Sequence, residues 1–249
     1  MGKVIVATIA LGAVAAIVVA TRRTGGETPR AEQKSTQHVV LLDLSASPSH
    51  GQAAFWTQAY DENVARSLTA GDALLILGVH DNTDAAAPLF DDSCPAVDHD
   101  AGMDAEIAVR AKLKAMREEG RAKVREAFAA SARANTTRLV EALPRVPRAG
   151  SRNVRVLFFS DMLEDSKLIN LAKTPLAGRS AEMARGVAHA AKLRADDLRD
   201  ATVECVLDNL AIGDKPRSVN SRAELREFWQ ALFESVGGHL VSFDTRMAQ

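Results

Sequence analysis

The chain has 249 residues, of which 47% are hydrophobic and 25% are charged; these fractions are ordinary for a folded domain and exclude collagen-like and wholly disordered chains. The 31 Lys and Arg residues nearly balance the 32 Asp and Glu residues, so the chain lacks the positive excess of a nucleic-acid-binding domain. Two cysteines, Cys94 and Cys205, are too few for a disulfide scaffold and match no zinc pattern.

Residues 4–20 form an uncharged apolar run near the N-terminus. At about 1.5 Å per residue a helix over this run reaches roughly 26 Å, close to the hydrocarbon thickness of about 30 Å. We expect residues 1–21 to be either a signal peptide cleaved after Ala20 or an uncleaved membrane anchor. A buried core helix is a weaker alternative, because the run has no polar face.

Two signals for membrane orientation disagree. Cationic residues are more numerous after the run than before it, with Arg22, Arg23, Arg30 and Lys34 following it and Lys3 preceding it. That bias favours a cytoplasmic C-terminal domain. A short N-terminal tail before a single apolar helix is instead typical of an export signal. We expect an extracytoplasmic domain, periplasmic or at the cell surface, with the cytoplasmic face as the alternative.

Residues 22–37 have the polar composition of a linker and contain Gly-Gly and Pro, which predicts a globular domain over residues 38–249. Apolar runs of strand length follow at residues 39–42, 73–79, 154–159, 202–207 and 240–243. They are near-continuous, as in parallel strands covered on both faces. Residues 88–90 are expected to form a short antiparallel edge strand.

Helical patterns separate these runs. Residues 52–68 place Phe55, Ala59, Val64 and Leu68 along one face. Residues 221–236 place Leu225, Phe228, Trp229 and Leu232 likewise, with Ser221 and Glu224 forming a capping box and Gly237 and Gly238 ending the helix. Alternating strands and helices predict an α/β fold with a doubly wound, mostly parallel sheet flanked by helices.

Residues 101–134 are a charged segment rich in Ala, Lys, Arg and Glu, the strongest helix formers. Its apolar stripe of Leu113, Met116, Val124 and Phe128 is thin, and Gly120 interrupts it. We expect a helical insertion, either one long solvated helix or a broken pair, lying along the sheet domain or projecting from it. Its exposed side is either a partner-docking arm or a charged surface.

Oxygen-bearing side chains follow two of the predicted strands. The first strand ends in Asp43-x-Ser45-x-Ser47, and Asp161 follows the strand over residues 154–159. Open α/β sheets bind ligands at the carboxyl ends of their strands, at the point where the strand order reverses. Two close carboxylates are costly unless a cation lies between them, and hydroxyl and carboxylate oxygens suit Mg²⁺ or Ca²⁺.

These residues, with Thr137 two positions before Leu139, resemble the metal-ion-dependent adhesion site of the von Willebrand factor type A (VWA) domain. The resemblance covers roughly residues 38–249, apart from the charged segment. It implies a Rossmann-like fold that holds Mg²⁺, or another hard cation such as Ca²⁺ or Mn²⁺, at Asp43, Ser45, Ser47, Thr137 and Asp161. By this analogy the hydroxyls ligate the ion directly, the two aspartates act mostly through bound waters, and the vacant position accepts an acidic group of a partner protein.

The chain departs from the family pattern at three loop positions. Ala46 stands where the family often has Gly, Pro48 where it often has Met, and Met162 where it usually has Gly. These departures bear on loop flexibility more than on ligand chemistry. Together with the apolar run over residues 4–20, the resemblance implies a membrane-anchored binding module without catalytic turnover.

Two alternatives stay open. Asp161 and Asp165 have the spacing of a haloacid-dehalogenase-like phosphatase, in which Asp43 would be the nucleophile. Ser45 then stands where that family has its general acid, and a hydroxyl is a poor proton donor. The other alternative is a metal-free scaffold of the same fold.

The sequence also gives expectations for several other acidic residues and for the two cysteines. Glu164 and Asp165 either support the metal site indirectly or face solvent. The acidic stretch at residues 91–100 is either a Ca²⁺ site or a solvated loop, and we expect the loop because the stretch lacks the spacing of an EF-hand. Cys205 is expected to be an inert core thiol, and Cys94 to lie in an exposed loop.

Overall fold

A computed structural model describes residues 34–45, 52–81, 83, 86–98, 100, 102–130, 136–148, 150–207, 211–212, 215–216 and 218–244. The predicted signal or anchor over residues 1–21 and the metal-site candidate Ser47 lie outside these ranges. Within the ranges, none of the helices combines the length and the apolar character needed to cross a membrane.

A six-stranded sheet forms the centre of the fold, and the predicted doubly wound α/β architecture is confirmed. Its strands in spatial order are β3-β2-β1-β4-β5-β8, with β3 antiparallel at one edge and the others parallel. The strands are β1 (Thr36–Asp43), β2 (Ala73–Val79), β3 (Phe90–Ser93), β4 (Asn153–Ser160), β5 (Thr202–Leu207) and β8 (His239–Asp244), and a separate ribbon pairs β6 (Ala211–Ile212) with β7 (Lys215–Pro216). The strand order reverses between β1 and β4, which makes that pair the switch point.

The central strand β1 is buried on both faces. Val39 and Leu41 belong to one hydrophobic cluster, Val40 and Leu42 to the other, and all four are fully buried. Each such side chain stabilises the fold by roughly 1.5–3 kcal/mol relative to an exposed one. Residues 39–42 are continuously apolar because both faces of β1 are covered.

One face of the sheet is covered by helix α1 (Gln52–Tyr60), which continues as a π-helical turn over Asp61–Ala65. Trp56 stacks between Phe128 and Phe159, with ring centroids 5.8 and 5.5 Å away. The expected apolar face through Phe55 is wrong, because Phe55 is 37% exposed. The wide π-helical turn rotates the residues after Tyr60 relative to those before it, so one 3.6-residue period does not fit both halves.

The charged segment contains helix α2 (Met103–Ala130), which packs against α1, β2 and β3. The helix is continuous through Gly120, which confirms the alternative of one long helix over that of a broken pair. A Cβ at this position would overlap Tyr60 Oη and lie 2.9 Å from Leu74 Cδ2. Gly120 thus permits a close approach between α2 and Tyr60.

Helices α3 (Leu139–Ala142), α4 (Ser180–Ala190) and α5 (Arg222–Ser235) accompany the second hydrophobic cluster. The predicted capping box is confirmed: Ser221 Oγ accepts from Glu224 N at 3.2 Å, and Glu224 Oε2 accepts from Ser221 N at 2.8 Å. Gly237, at φ +86°, follows the helix as expected. Sequence patterning did not predict α4.

Three smaller predictions have clear outcomes. Cys205 is fully buried in β5, as expected, and burial raises its thiol pKa well above the usual range. Cys94 lies in a loop but is only 1% exposed, so the expectation of an exposed thiol is wrong. Asp91 and Asp92 belong to β3 rather than to a loop, and Asp92 pairs with Lys112 at 2.5 Å.

Candidate functional site

The carboxyl ends of β1 and β4 meet at the switch point. Leu42 of β1 lies in register with Phe159 of β4, and the next residue of each strand is polar. Ser160 Oγ donates to Asp43 Oδ2 at 2.6 Å. The two strands are therefore joined by a buried hydrogen bond at the edge where an open α/β sheet binds ligands.

Asp43 also shapes the chain that follows β1. Its Oδ1 atom accepts from the backbone N–H of Ser45 at 3.0 Å, an Asx turn that bends the chain as the strand ends. Asp43 is 7% exposed and Ser45 is 5% exposed. The first two of the five predicted metal-site residues thus lie together near the end of β1.

The chain after β4 is fixed by two further turns of this kind. Ser160 Oγ accepts from the N–H of Met162, and Asp161 Oδ1 accepts from the N–H of Leu163, both at 2.9 Å. Asp161 is 5% exposed and directly follows Ser160, which contacts Asp43. The structure thus brings Asp43, Ser45 and Asp161 to one edge of the sheet, as the sequence predicts.

Met162 adopts a backbone conformation that side chains rarely take. Its φ is +59°, in the left-handed region, although the side chain is fully buried. A non-glycine residue there costs about 1–3 kcal/mol. The Met162 carbonyl accepts from Trp229 Nε1 on α5 at 2.9 Å, so burial and this hydrogen bond hold Met162 in its turn.

Thr137, the predicted site residue before α3, is tied to the same loop at a later point. It forms a two-bond antiparallel bridge with Asp165, with N···O distances of 3.2 and 3.0 Å. Thr137 is 4% exposed. The backbone of Thr137 therefore pairs with Asp165, four residues after Asp161, and α3 begins at Leu139.

Glu164 precedes Asp165 in the chain and accepts hydrogen bonds from the start of α3. Its Oε2 atom accepts from Leu139 N at 2.7 Å and from Val140 N at 3.2 Å. Burial raises its pKa to about 8, against the lowering effect of these backbone donors. Its Oε1 atom has no hydrogen-bond partner among the described residues. The alternative in which Glu164 faces solvent is therefore wrong.

Sequence patterns do not determine the roles of two polar residues at this edge. They give Ser160 no role, and they leave Glu164 either as an indirect support of the metal site or as a solvent-facing residue. Contact with Asp43 and with the start of α3 gives them their positions. Neither contact has a local sequence signal. The position of Ser160 beside Asp43 does follow once Leu42 of β1 is known to pair with Phe159 of β4.

The donor set suits a hard divalent cation in its chemistry. It consists of buried carboxylate and hydroxyl oxygens, the ligands that Mg²⁺ and Ca²⁺ prefer. In the part of the chain that the structure describes, no group of three or more His, Cys, Asp and Glu residues is placed to hold a metal ion. A centre at this edge would therefore depend on the Ser and Thr hydroxyls as well as on the aspartates.

Comparisons with known proteins leave the family of the chain open. No protein-family model matches it, and no curated protein matches it. Among solved structures, the SpRpn10 VWA domain is similar at 11% identity and a TM-score of 0.34, over 85% of this chain and 89% of that one. The α/β fold class therefore depends on the strand order and register described above.

Proposed function

We propose that the chain is a non-catalytic binding module that holds Mg²⁺, or another hard cation such as Ca²⁺ or Mn²⁺, at the switch point. Asp43, Ser45, Ser47, Thr137 and Asp161 hold the ion, which presents an open coordination position to a carboxylate of a partner protein. The observation that carries the proposal is the convergence of buried oxygen donors where β1 and β4 end.

The cation supplies charge compensation at this edge. Two nearly buried aspartates on adjacent strand ends repel each other in a low-dielectric environment, and a divalent ion offsets that repulsion. The Asx turns at Asp43 and Asp161 already orient both side chains. Ordering these side chains therefore costs little when the ion binds.

Metal binding is tested by calorimetric titration of the full chain with MgCl₂, beside Asp43→Asn and Asp91→Asn. Asparagine keeps the shape of Asp43 and removes its charge, whereas Asp91 is an exposed carboxylate on edge strand β3. We expect one site in the wild type and in Asp91→Asn, and at least tenfold weaker binding in Asp43→Asn. Equal binding by all three proteins would overturn the proposed metal site.

Recruitment of a partner is tested by affinity capture with Mg²⁺ and with chelator. The proposal expects a partner that is retained only with Mg²⁺ and is lost in Asp43→Asn. Retention in chelator would favour a metal-free scaffold. Hydrolysis of an aryl phosphate that disappears in Asp43→Asn would favour the phosphatase alternative and overturn the non-catalytic assignment.

We also propose that residues 1–21 attach the domain to a membrane and that the domain lies outside the cytoplasm. Support comes from the uncharged run over residues 4–20. Fusion of the C-terminus to reporters that are active on only one side of the bilayer tests the orientation. Activity of the cytoplasmic reporter alone would overturn it.

A further inference from the structure

A cavity of about 360 Å³ lies between the π-helical turn and α2. None of its lining residues belongs to the loops that carry Asp43, Thr137 or Asp161. The lining is made by Asp61, Ala65, Arg66, Lys114, Arg117, Glu118 and Arg121. It is therefore a second candidate site, on the helical layer rather than at the strand ends.

Positive charge exceeds negative charge in this lining, since four cationic residues face two carboxylates. Asp61 is engaged by Arg121, whose Nε lies 2.6 Å from Asp61 Oδ1. Lys114 and Glu118 are mostly exposed and 3.9 Å apart, a pair that contributes little. Arg66 has no ion pair with any described residue. The cavity therefore carries an excess of two positive charges.

Arg117 is held in place by a side-chain hydrogen bond and has one buried donor atom without a partner among the described residues. Its Nη2 atom donates to the Leu68 carbonyl at 2.5 Å, which fixes the guanidinium. Its Nε atom is buried and has no hydrogen-bond partner among the described residues. A buried donor without a partner costs about 1–3 kcal/mol. The lining therefore includes a guanidinium whose position is fixed before a ligand binds.

The π-helical turn brings two lining residues to the same cavity. Arg66 N donates to the Asp61 carbonyl at 3.2 Å, the five-residue hydrogen bond of a π-helix. On an α-helix, residues five apart differ by about 140° around the axis. The wider turn instead allows both Asp61 and Arg66 to line the cavity. Such turns occur frequently at functional sites.

We infer that this cavity binds a small phosphate-bearing molecule. Guanidinium groups match phosphate oxygens with paired hydrogen bonds, and Arg66 and Arg117 supply two of them. The volume lies at the small end of the range for small-molecule sites, roughly 300–1,000 Å³. Asp61 and Glu118 favour a ligand that also carries hydroxyl or amino donors. This inference is independent of the proposed metal site.

The test is a calorimetric titration of the full chain with pyrophosphate in metal-free buffer at constant ionic strength. Arg66→Gln is the main variant, because this exposed side chain makes no hydrogen bond or ion pair with a described residue that the change would remove. Arg117→Gln is the second variant, and Arg125→Gln is the matched control, since Arg125 is exposed on the same helix but outside the lining.

We expect saturable binding in the wild type and in Arg125→Gln, and at least tenfold weaker binding in both lining variants. Absence of saturable binding, or equal weakening in Arg125→Gln, would overturn the inference. A further titration uses vesicles that contain an anionic phospholipid. Binding to these vesicles without binding to free pyrophosphate would also overturn the small-molecule site.

Discussion

Glu164 shows how burial of a single residue makes stability depend on pH. Its pKa is about 8 in the folded chain and about 4.5 in the unfolded one. Between these values the folded state holds a proton that the unfolded state has lost. The free energy of unfolding therefore falls as pH rises through this window.

We predict that Glu164→Gln removes this dependence, because glutamine keeps the acceptor for Leu139 N and never ionises. Relative to the wild type, the variant should gain at least about 1.4 kcal/mol between pH 5 and pH 8, the equivalent of one pKa unit. Urea unfolding at both pH values measures the gain. Glu227→Gln, an exposed change on α5, should show none. Parallel pH profiles for Glu164→Gln and the wild type would contradict the prediction.

Two glycines give opposite predictions although both lie within helices. Gly120→Ala should destabilise the chain by about 1–3 kcal/mol, because the new Cβ overlaps Tyr60 Oη in a packed interior. Gly186→Ala should stabilise it by up to about 1 kcal/mol, since a Cβ on α4 meets open space. Thermal unfolding of both variants checks the signs. Equal effects would show that helix propensity, not the approach of Tyr60, decides both positions.

At the level of whole elements, the capping box fixes where α5 begins. Ser221→Ala removes the acceptor for Glu224 N and should cost about 1 kcal/mol of unfolding free energy. Ser93→Ala, an exposed serine on β3, should cost much less. Chemical denaturation of both variants measures the difference. A similar cost at both sites would mean that the cap does not stabilise α5.

Elements differ in how far their sequence determines them. β2 and β5 have the predicted bounds because continuous apolar runs signal strands covered on both faces. β3 begins two residues and ends three residues later than expected, because the position of this edge strand depends on its pairing with β2 and not on its composition. Helix α4 was missed because its buried residues are Ser180, Ala184, Val187 and Ala188, a weak apolar stripe.

The candidate site was predictable in its strand ends but not in its interior. Asp43 and Asp161 follow apolar runs, and the switch-point rule then brings them to the same edge. The contacts of Ser160 and Glu164 depend on register and on the path of the loop after β4, which no local pattern encodes. The cavity beside α2 depends on a π-helical turn, which the 3.6-residue period does not reveal.

For the whole molecule, an ion that binds only the folded chain raises its stability by mass action. At a hundredfold excess over the dissociation constant, Mg²⁺ should add about 2.7 kcal/mol to the free energy of unfolding. We predict a higher Tm with MgCl₂ than with chelator in the wild type and no difference in Asp43→Asn. Thermal unfolding followed by circular dichroism measures both. An equal rise in the variant would point to a general salt effect.

The two edge strands of the sheet differ in their resistance to self-association. On one side, β3 carries consecutive aspartates, and charge on an edge strand opposes pairing with another chain. On the other side, β8 leaves Val241 55% exposed. Intermolecular strand addition, and the aggregation that follows from it at high concentration, should therefore begin along β8.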